Sequence, residues 1–109
     1  MMKNFGLNIW SNNNFIIDDG ILKLNFKSMP SLLDIVQNIR DKGTRGPILL
    51  RFPHIIKKQI DNLYKNFQNA IEINNYKGSF NAVFPLKVNQ FPEVIKAITD
   101  EGIEYNYGL

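Results

Sequence analysis

A chain of 109 residues has room for one domain with a core of modest size. Its 44% hydrophobic and 21% charged residues are the proportions of a folded globular protein, and no apolar run approaches the roughly 20 residues a membrane span needs. The absence of cysteine rules out disulfides, thiolate metal ligands and a cysteine nucleophile, and the net charge of +3 rests on thirteen scattered basic residues. The densest basic spot, Lys57–Lys58, reads as a solvated helix face, so nucleic acid is not the expected partner. The opening "MMKNFGLNIWSNNNF" lacks the continuous apolar middle of a signal peptide, which gives a cytoplasmic expectation.

In chain order, "FIIDDGILKLNF" predicts two strands joined at Asp19–Gly20, because Asp-Gly supplies the positive φ angles of a two-residue hairpin turn. Leu22, Leu24 and Phe26 alternate with Lys23, Asn25 and Lys27, the pattern of a half-buried strand. "SLLDIVQNIRDKG" predicts a helix, with Ser31 and Asp34 spaced as in a capping box, Leu32, Ile35, Val36 and Ile39 on one face, and Gly43 as the stop. "PILLRF" from Pro47 is a continuous apolar run of strand length, suited to cover on both faces. Pro53 opens the longest predicted helix, where its missing N–H costs nothing. Its apolar stripe runs through Ile56, Ile60, Leu63, Tyr64, Phe67, Ala70 and Ile71, with Lys57, Lys58, Asp61, Lys65 and Glu72 expected to face outward. A strand over 80–88, a helix from Pro92 to Gly102 and a last strand in "IEYNYGL" complete an alternation of strand and helix from Pro47 onward, the pattern of a parallel α/β fold.

Side chains alternate across a strand, so "FPLKVNQ" divides by parity. Phe80, Ala82, Phe84, Leu86 and Val88 form a wholly apolar face fit to pack under helices, while Asn81, Val83, Pro85, Lys87 and Asn89 form the other. Lys87 and Asn89 thereby share the carboxyl end of the strand, where α/β folds place their chemistry. Enclosure there penalises an ammonium and favours a free amine able to condense with an aldehyde, which is the Schiff-base logic of pyridoxal phosphate enzymes. A strand-end lysine extended into water is the plain alternative, and spacing alone leaves both open.

"PLKVNQ" at 85–90, preceded by "PILLRFPHIIKKQI" and followed by "YNYGL", resembles the biosynthetic arginine decarboxylases, as does the opening "FGLNIW" with its strand pair. The resemblance runs through nearly the whole chain in order and spacing. It implies an α/β chain forming the amino-terminal part of a (β/α)8 alanine-racemase-like barrel, preceded by a β-hairpin of a β-rich domain, with residues 1–46 in the β-rich segment and 47–109 in the first barrel units. It further implies a carboxy-lyase that converts L-arginine to agmatine and CO2 for polyamine synthesis. Lys87 stands where that family has its Schiff-base lysine for pyridoxal phosphate, and Asn89 at a supporting asparagine. Full-length members are homo-oligomers, and some require magnesium. They are several times longer and continue past the position of Leu109 with an acidic residue and the rest of the barrel. The expectation is an amino-terminal fragment with open sheet edges, prone to aggregate and inactive alone.

The competing reading is a stand-alone basic module that binds protein or nucleic acid without catalysis, with Trp10 and the Asn-rich segment as its surface. The remaining candidates have ordinary explanations. His54, the only histidine, lacks the clustered donors of a metal site, and Asp18–Asp19 and Asp100–Glu101 sit where turns and helix ends account for carboxylates. Gly102 and Gly108 are too isolated for a phosphate loop, and Tyr105 and Tyr107 are expected to pack.

Overall fold

The structure, a computed structural model, describes residues 5–109; the first four residues of the opening stretch read above against a signal peptide lie outside the described residues. The protein is a mixed α and β chain in two compact units, residues 1–50 and 51–109.

In the first unit a short helix α1 (Leu7–Trp10) buries Leu7, and the Trp10 indole N–H donates to the Phe5 carbonyl at 3.0 Å. The Trp10 ring lies 5.7 Å from that of Phe15, at the start of the hairpin. Strands β1 (Phe15–Asp18) and β2 (Ile21–Leu24) pair antiparallel, Phe15 opposite Leu24, around the expected two-residue turn. Asp19 (φ 48°) and Gly20 (φ 74°) both take the left-handed conformation that such a turn demands. Leu24 is buried as its parity requires, but Phe26 is exposed. The strand ends at Leu24, and a turn closed by Met29 N–H on the Phe26 carbonyl carries that ring off the pleat. Helix α2 (Leu32–Asp41) begins at Ser31, whose Oγ accepts the Asp34 N–H at 3.1 Å. Its predicted apolar face, Leu32, Ile35, Val36 and Ile39, is half-buried, and Gly43 at φ 92° ends the helix.

The second unit is organised by helix α3 (Pro53–Ile73). Ile60 is its buried centre, with Ile56, Leu63 and Tyr64 half-buried around it. Three outward assignments are corrected, those of Lys57, Lys58 and Asp61, all of which are half-buried. Lys57 and Asp61 each meet a partner from the chain's last turns. The stripe also fades toward its end, where Phe67 and Ala70 are exposed. Helix α4 (Pro92–Gly102) packs on α3, burying Ile98 and Gly102.

Three strand expectations are corrected as well. "PILLRF" carries no strand, and Leu49 is 73% exposed; a strand covered on both faces needs neighbours to take its backbone groups, and the described residues offer none. The 80–88 strand survives as one parallel bridge, Val83 beside Gly108, made by Phe84 N–H to the Gly108 carbonyl and Gly108 N–H to the Ala82 carbonyl, both 2.9 Å. Beyond it Leu86–Val88 roll into a 3-10 turn closed by Val88 N–H on the Pro85 carbonyl. The last expected strand opens instead with a second 3-10 turn, Ile103–Tyr105, and reverses at Asn106 (φ 53°) before reaching Gly108.

Gly102 is a tight joint between α4 and the residues that follow it. Its carbonyl accepts the Tyr107 N–H, and a Cβ at Gly102 would stand 2.5 Å from the Tyr107 Cβ. The helix-propensity gain of Gly→Ala, at most about 1 kcal/mol, does not offset such a collision. Gly102→Ala is expected to lower stability by about 1–3 kcal/mol in urea unfolding, and an unchanged or raised midpoint would disprove the tight approach. Ser31→Ala is expected to cost about 1 kcal/mol through the lost α2 cap, read the same way.

Candidate active-site segment

Residues 80–91 are held at both ends. At the start the Phe80 ring stacks on Phe67 (centroids 3.8 Å, planes 1° apart) and sits edge-on to Tyr64 at 5.2 Å. Ala82 N–H donates to the Tyr64 hydroxyl at 3.2 Å, and the bridge to Gly108 fixes the next two residues. Burial follows the parity read from the sequence as far as Phe84: Phe80, Ala82 and Phe84 are half-buried, while Asn81, Val83 and Pro85 are exposed. The 3-10 turn breaks the alternation, and Leu86, Lys87, Val88 and Asn89 are all exposed. At the far end the Asn89 Oδ1 accepts the Phe91 N–H at 3.0 Å, setting the chain's entry into α4 at Pro92.

Lys87 therefore lies on a turn rather than on a strand. The enclosure attached to it in the sequence reading is not made by residues 5–109, since the side chain is exposed and has no hydrogen-bond or ion-pair partner among the described residues. Lys23, Lys57 and Lys96, by contrast, pair with Asp18, Glu101 and Asp100. Asn89 reaches the walls of two clefts. One, about 410 Å³, is lined by Ile56, Ile60, Phe84, Val88 and Tyr107, and the other, about 380 Å³, by Arg51, Phe52, Glu93 and Val94. Lys87 lines neither. In the second cleft the Arg51 guanidinium carbon sits 3.8 Å from the Phe91 ring centroid, a cation–π contact.

Beside this segment runs a polar row that sequence reasoning missed. Lys57 Nζ donates to Glu101 at 2.8 Å, and the Tyr105 hydroxyl donates to Asp61 at 2.8 Å while its ring stacks on Tyr64 at 4.5 Å. The signal was available in the spacing: 57, 61 and 64 share one helical face, and 101 and 105 are four apart. The hydrogen bond to Glu101 holds the Lys57 ammonium above its usual range against a smaller desolvation effect, and the hydrogen bond to Asp61, with desolvation, pushes the Tyr105 phenol up. Both groups are accessible, so each contact contributes little stability on its own.

The other sequence candidates settle into structural roles. The His54 ring meets Phe52 edge-on at 6.1 Å, and Asp18, Asp100 and Glu101 are all in ion pairs. Among the described residues no three acidic or histidine side chains gather as a metal would require, and no helix is long and apolar enough to cross a membrane.

No protein-family profile matches the chain. Relatives do. Biosynthetic arginine decarboxylase of Tolumonas auensis is 45% identical over 69 residues, covering 63% of this chain and 11% of the relative. That of Prochlorococcus marinus is 34% identical over 110 residues, covering 96% and 17%. The crystal structure of the biosynthetic arginine decarboxylase SpeA from Campylobacter jejuni superposes with a TM-score of 0.95 at 52% identity, over 99% of this chain and 18% of that one. The chain is homologous to part of the biosynthetic arginine decarboxylases. It spans 10% to 18% of the length of such relatives, which include arginine decarboxylase 2 of rice. The resemblance drawn from "PLKVNQ", "PILLRF" and "YNYGL" is thereby borne out at the level of family.

For both Lys57 and Tyr105 the folded value is raised, so their contribution to stability is complete below the unfolded values, 10.5 and 10.0, and is lost as pH rises through the folded ones. The phenolate absorbance that disappears in Tyr105→Phe is expected to titrate above pH 10.0 and to move down in Asp61→Asn. Titration at or below that pH in the parent chain would contradict the Asp61 hydrogen bond.

Proposed function

We propose that this chain supplies the lysine-bearing segment of a pyridoxal-phosphate-dependent L-arginine decarboxylase, which forms agmatine and CO2 for polyamine synthesis in the cytoplasm. The observation that carries this reading is the superposition on an arginine decarboxylase over 99% of the chain at 52% identity. On the same reading the hairpin belongs to a β-rich domain over residues 1–46, and residues 47–109 open a (β/α)8 alanine-racemase-like barrel. The active assembly is a homo-oligomer, with magnesium as an additional requirement in some of its kind.

Lys87 and Asn89 are the residues assigned to the cofactor. Lys87 offers the chemistry that group needs, a primary amine that is accessible and has no competing carboxylate among the described residues. Pyridoxal phosphate, when bound, supplies an electron-withdrawing ring that stabilises a substrate carbanion. The chain's own part is positional. The Tyr64, Phe67 and Gly108 contacts fix the approach to the turn, and the Asn89 cap fixes its exit, so the amine is presented from a short element anchored on both sides. Asn89 acts through the backbone it caps and through the two clefts whose walls it shares. Phosphate grip and substrate grip need further clustered donors, so the 109 residues alone are assigned no turnover.

Two measurements test this. Incubation with pyridoxal phosphate, borohydride reduction and peptide mapping is expected to label Lys87 several-fold above the exposed Lys27, Lys42 and Lys65; equal labelling would remove Lys87 from its role. Release of CO2 from carboxyl-labelled arginine by the isolated chain is expected to stay at the blank, and clear turnover would overturn the assignment of a partial site.

A further inference from the structure

Arg51 is the one arginine of the three whose guanidinium is held against an aromatic ring. The guanidinium of arginine is permanently charged and carries five N–H donors around its edge. The Arg51 guanidinium carbon lies over the Phe91 ring, 3.8 Å from the centroid, a contact that uses none of those donors in a conventional hydrogen bond. No carboxylate, carbonyl or hydroxyl among the described residues accepts from it. Glu93 shares the cleft of about 380 Å³ but forms no ion pair with it, so the charge is not neutralised from within. The rest of the wall is largely apolar, Phe52, Pro53, Ile55, Ile56 and Val94, and Asn89 adds the third polar group. A mostly apolar cleft with a few placed polar groups is the usual form of a small-molecule site, and a planar guanidinium with its donors unengaged matches a bidentate oxyanion.

We infer that Arg51, braced on Phe91, is an oxyanion-binding residue that receives a carboxylate or phosphate group in the cleft it shares with Asn89. The inference deepens the proposed function and rests on it for the identity of the ligand, whose anion is either the α-carboxylate of the amino acid or the phosphate of the cofactor. Arg40 and Arg45, which line a separate cleft in the first unit with Thr44, lack both the aromatic brace and a place beside Asn89, and serve as internal controls.

The test is a titration of the nitrogen-labelled 109-residue chain with sodium phosphate, sodium acetate and sodium chloride at matched ionic strength. It follows the three arginine side-chain N–H resonances, with Arg51 assigned by its loss in Arg51→Lys. The Arg51 resonance is expected to shift saturably with phosphate, acetate or both, while those of Arg40 and Arg45 move only as in chloride. Phosphate alone points to the cofactor as source, and acetate alone to the substrate. Phe91→Leu is expected to weaken the response about threefold or more, the scale of an exposed cation–π contact. A shift at Arg51 no larger than at Arg40 and Arg45, or equal with chloride, overturns the inference. An unchanged response in Phe91→Leu overturns the bracing. If Arg51→Lys fails to fold, the difference between Arg51 and the two control arginines in the parent chain still decides. Lys87 labelling reads the proposed function separately: labelling without an Arg51 response sinks this inference alone, and an Arg51 response without labelling sinks the proposed function alone.

Discussion

One face of α3 sets the geometry of the second unit. Lys57, Asp61 and Tyr64 follow one another along the helix, and each takes hold of a different later part of the chain: Glu101 at the end of α4, Tyr105 in the turn after it, and the backbone of Ala82. The apolar contacts of Ile60 and Ile98 supply the free energy of association, because burial of such side chains outweighs exposed ion pairs several-fold. The polar row supplies register. An apolar stripe alone permits α4 to slide by a turn on α3, whereas a slide breaks Lys57–Glu101 and Asp61–Tyr105 together. Fixing that register also fixes where Gly108 lies, and with it the single bridge that aligns residues 82–84.

Asparagine accounts for much of how the chain turns. Asn12, Asn13, Asn75 and Asn106 all take positive φ, from 46° to 58°. Among residues with a Cβ, asparagine enters this region most readily, because its short amide bonds to the nearby backbone. At these positions asparagine serves the fold. Asn106 is the sharpest case, since its left-handed conformation lets the chain leave α4, drop through one 3-10 turn and still bring Gly108 alongside Val83.

The features legible in the sequence were those with local causes. The Asp19–Gly20 turn, the Ser31 cap, the Gly43 stop and the proline starts of α3 and α4 each depend on a few neighbouring residues, and all are found where they were expected. Periodicity located α2, α3 and α4 but not the four-residue α1, and parity located the face of residues 80–84 that meets α3. The strands after Pro47 were a different matter. Strand formation depends on partners elsewhere, and an apolar run such as "PILLRF" states a preference for burial without supplying the neighbour that satisfies its backbone. For residues 80–88 the described chain offers one partner residue, Gly108, so one bridge forms. Past it, Pro85 removes a donor and the local 3-10 bond of Val88 to Pro85 takes over. Lys57 and Asp61 were misread for a related reason, because a charged residue on a helix is solvated by default until a distant partner is placed beside it.

The same turn changes what carries the case for Lys87. Parity assigned it a side of a strand, and a 3-10 turn dissolves that assignment, since three residues per turn do not alternate. What replaces parity is anchoring. Upstream, an aromatic stack, a tyrosine hydroxyl and a parallel bridge hold the chain within six residues of the turn, and downstream an asparagine side chain and a proline-started helix hold it within five. A lysine on an ordinary exposed loop loses its aim through backbone freedom before its own four methylenes are counted. Here the backbone is fixed on both sides, and only the side chain remains to be ordered by whatever it meets. On the proposed reading it is this anchored backbone, and not enclosure by residues 5–109, that aims the amine of position 87.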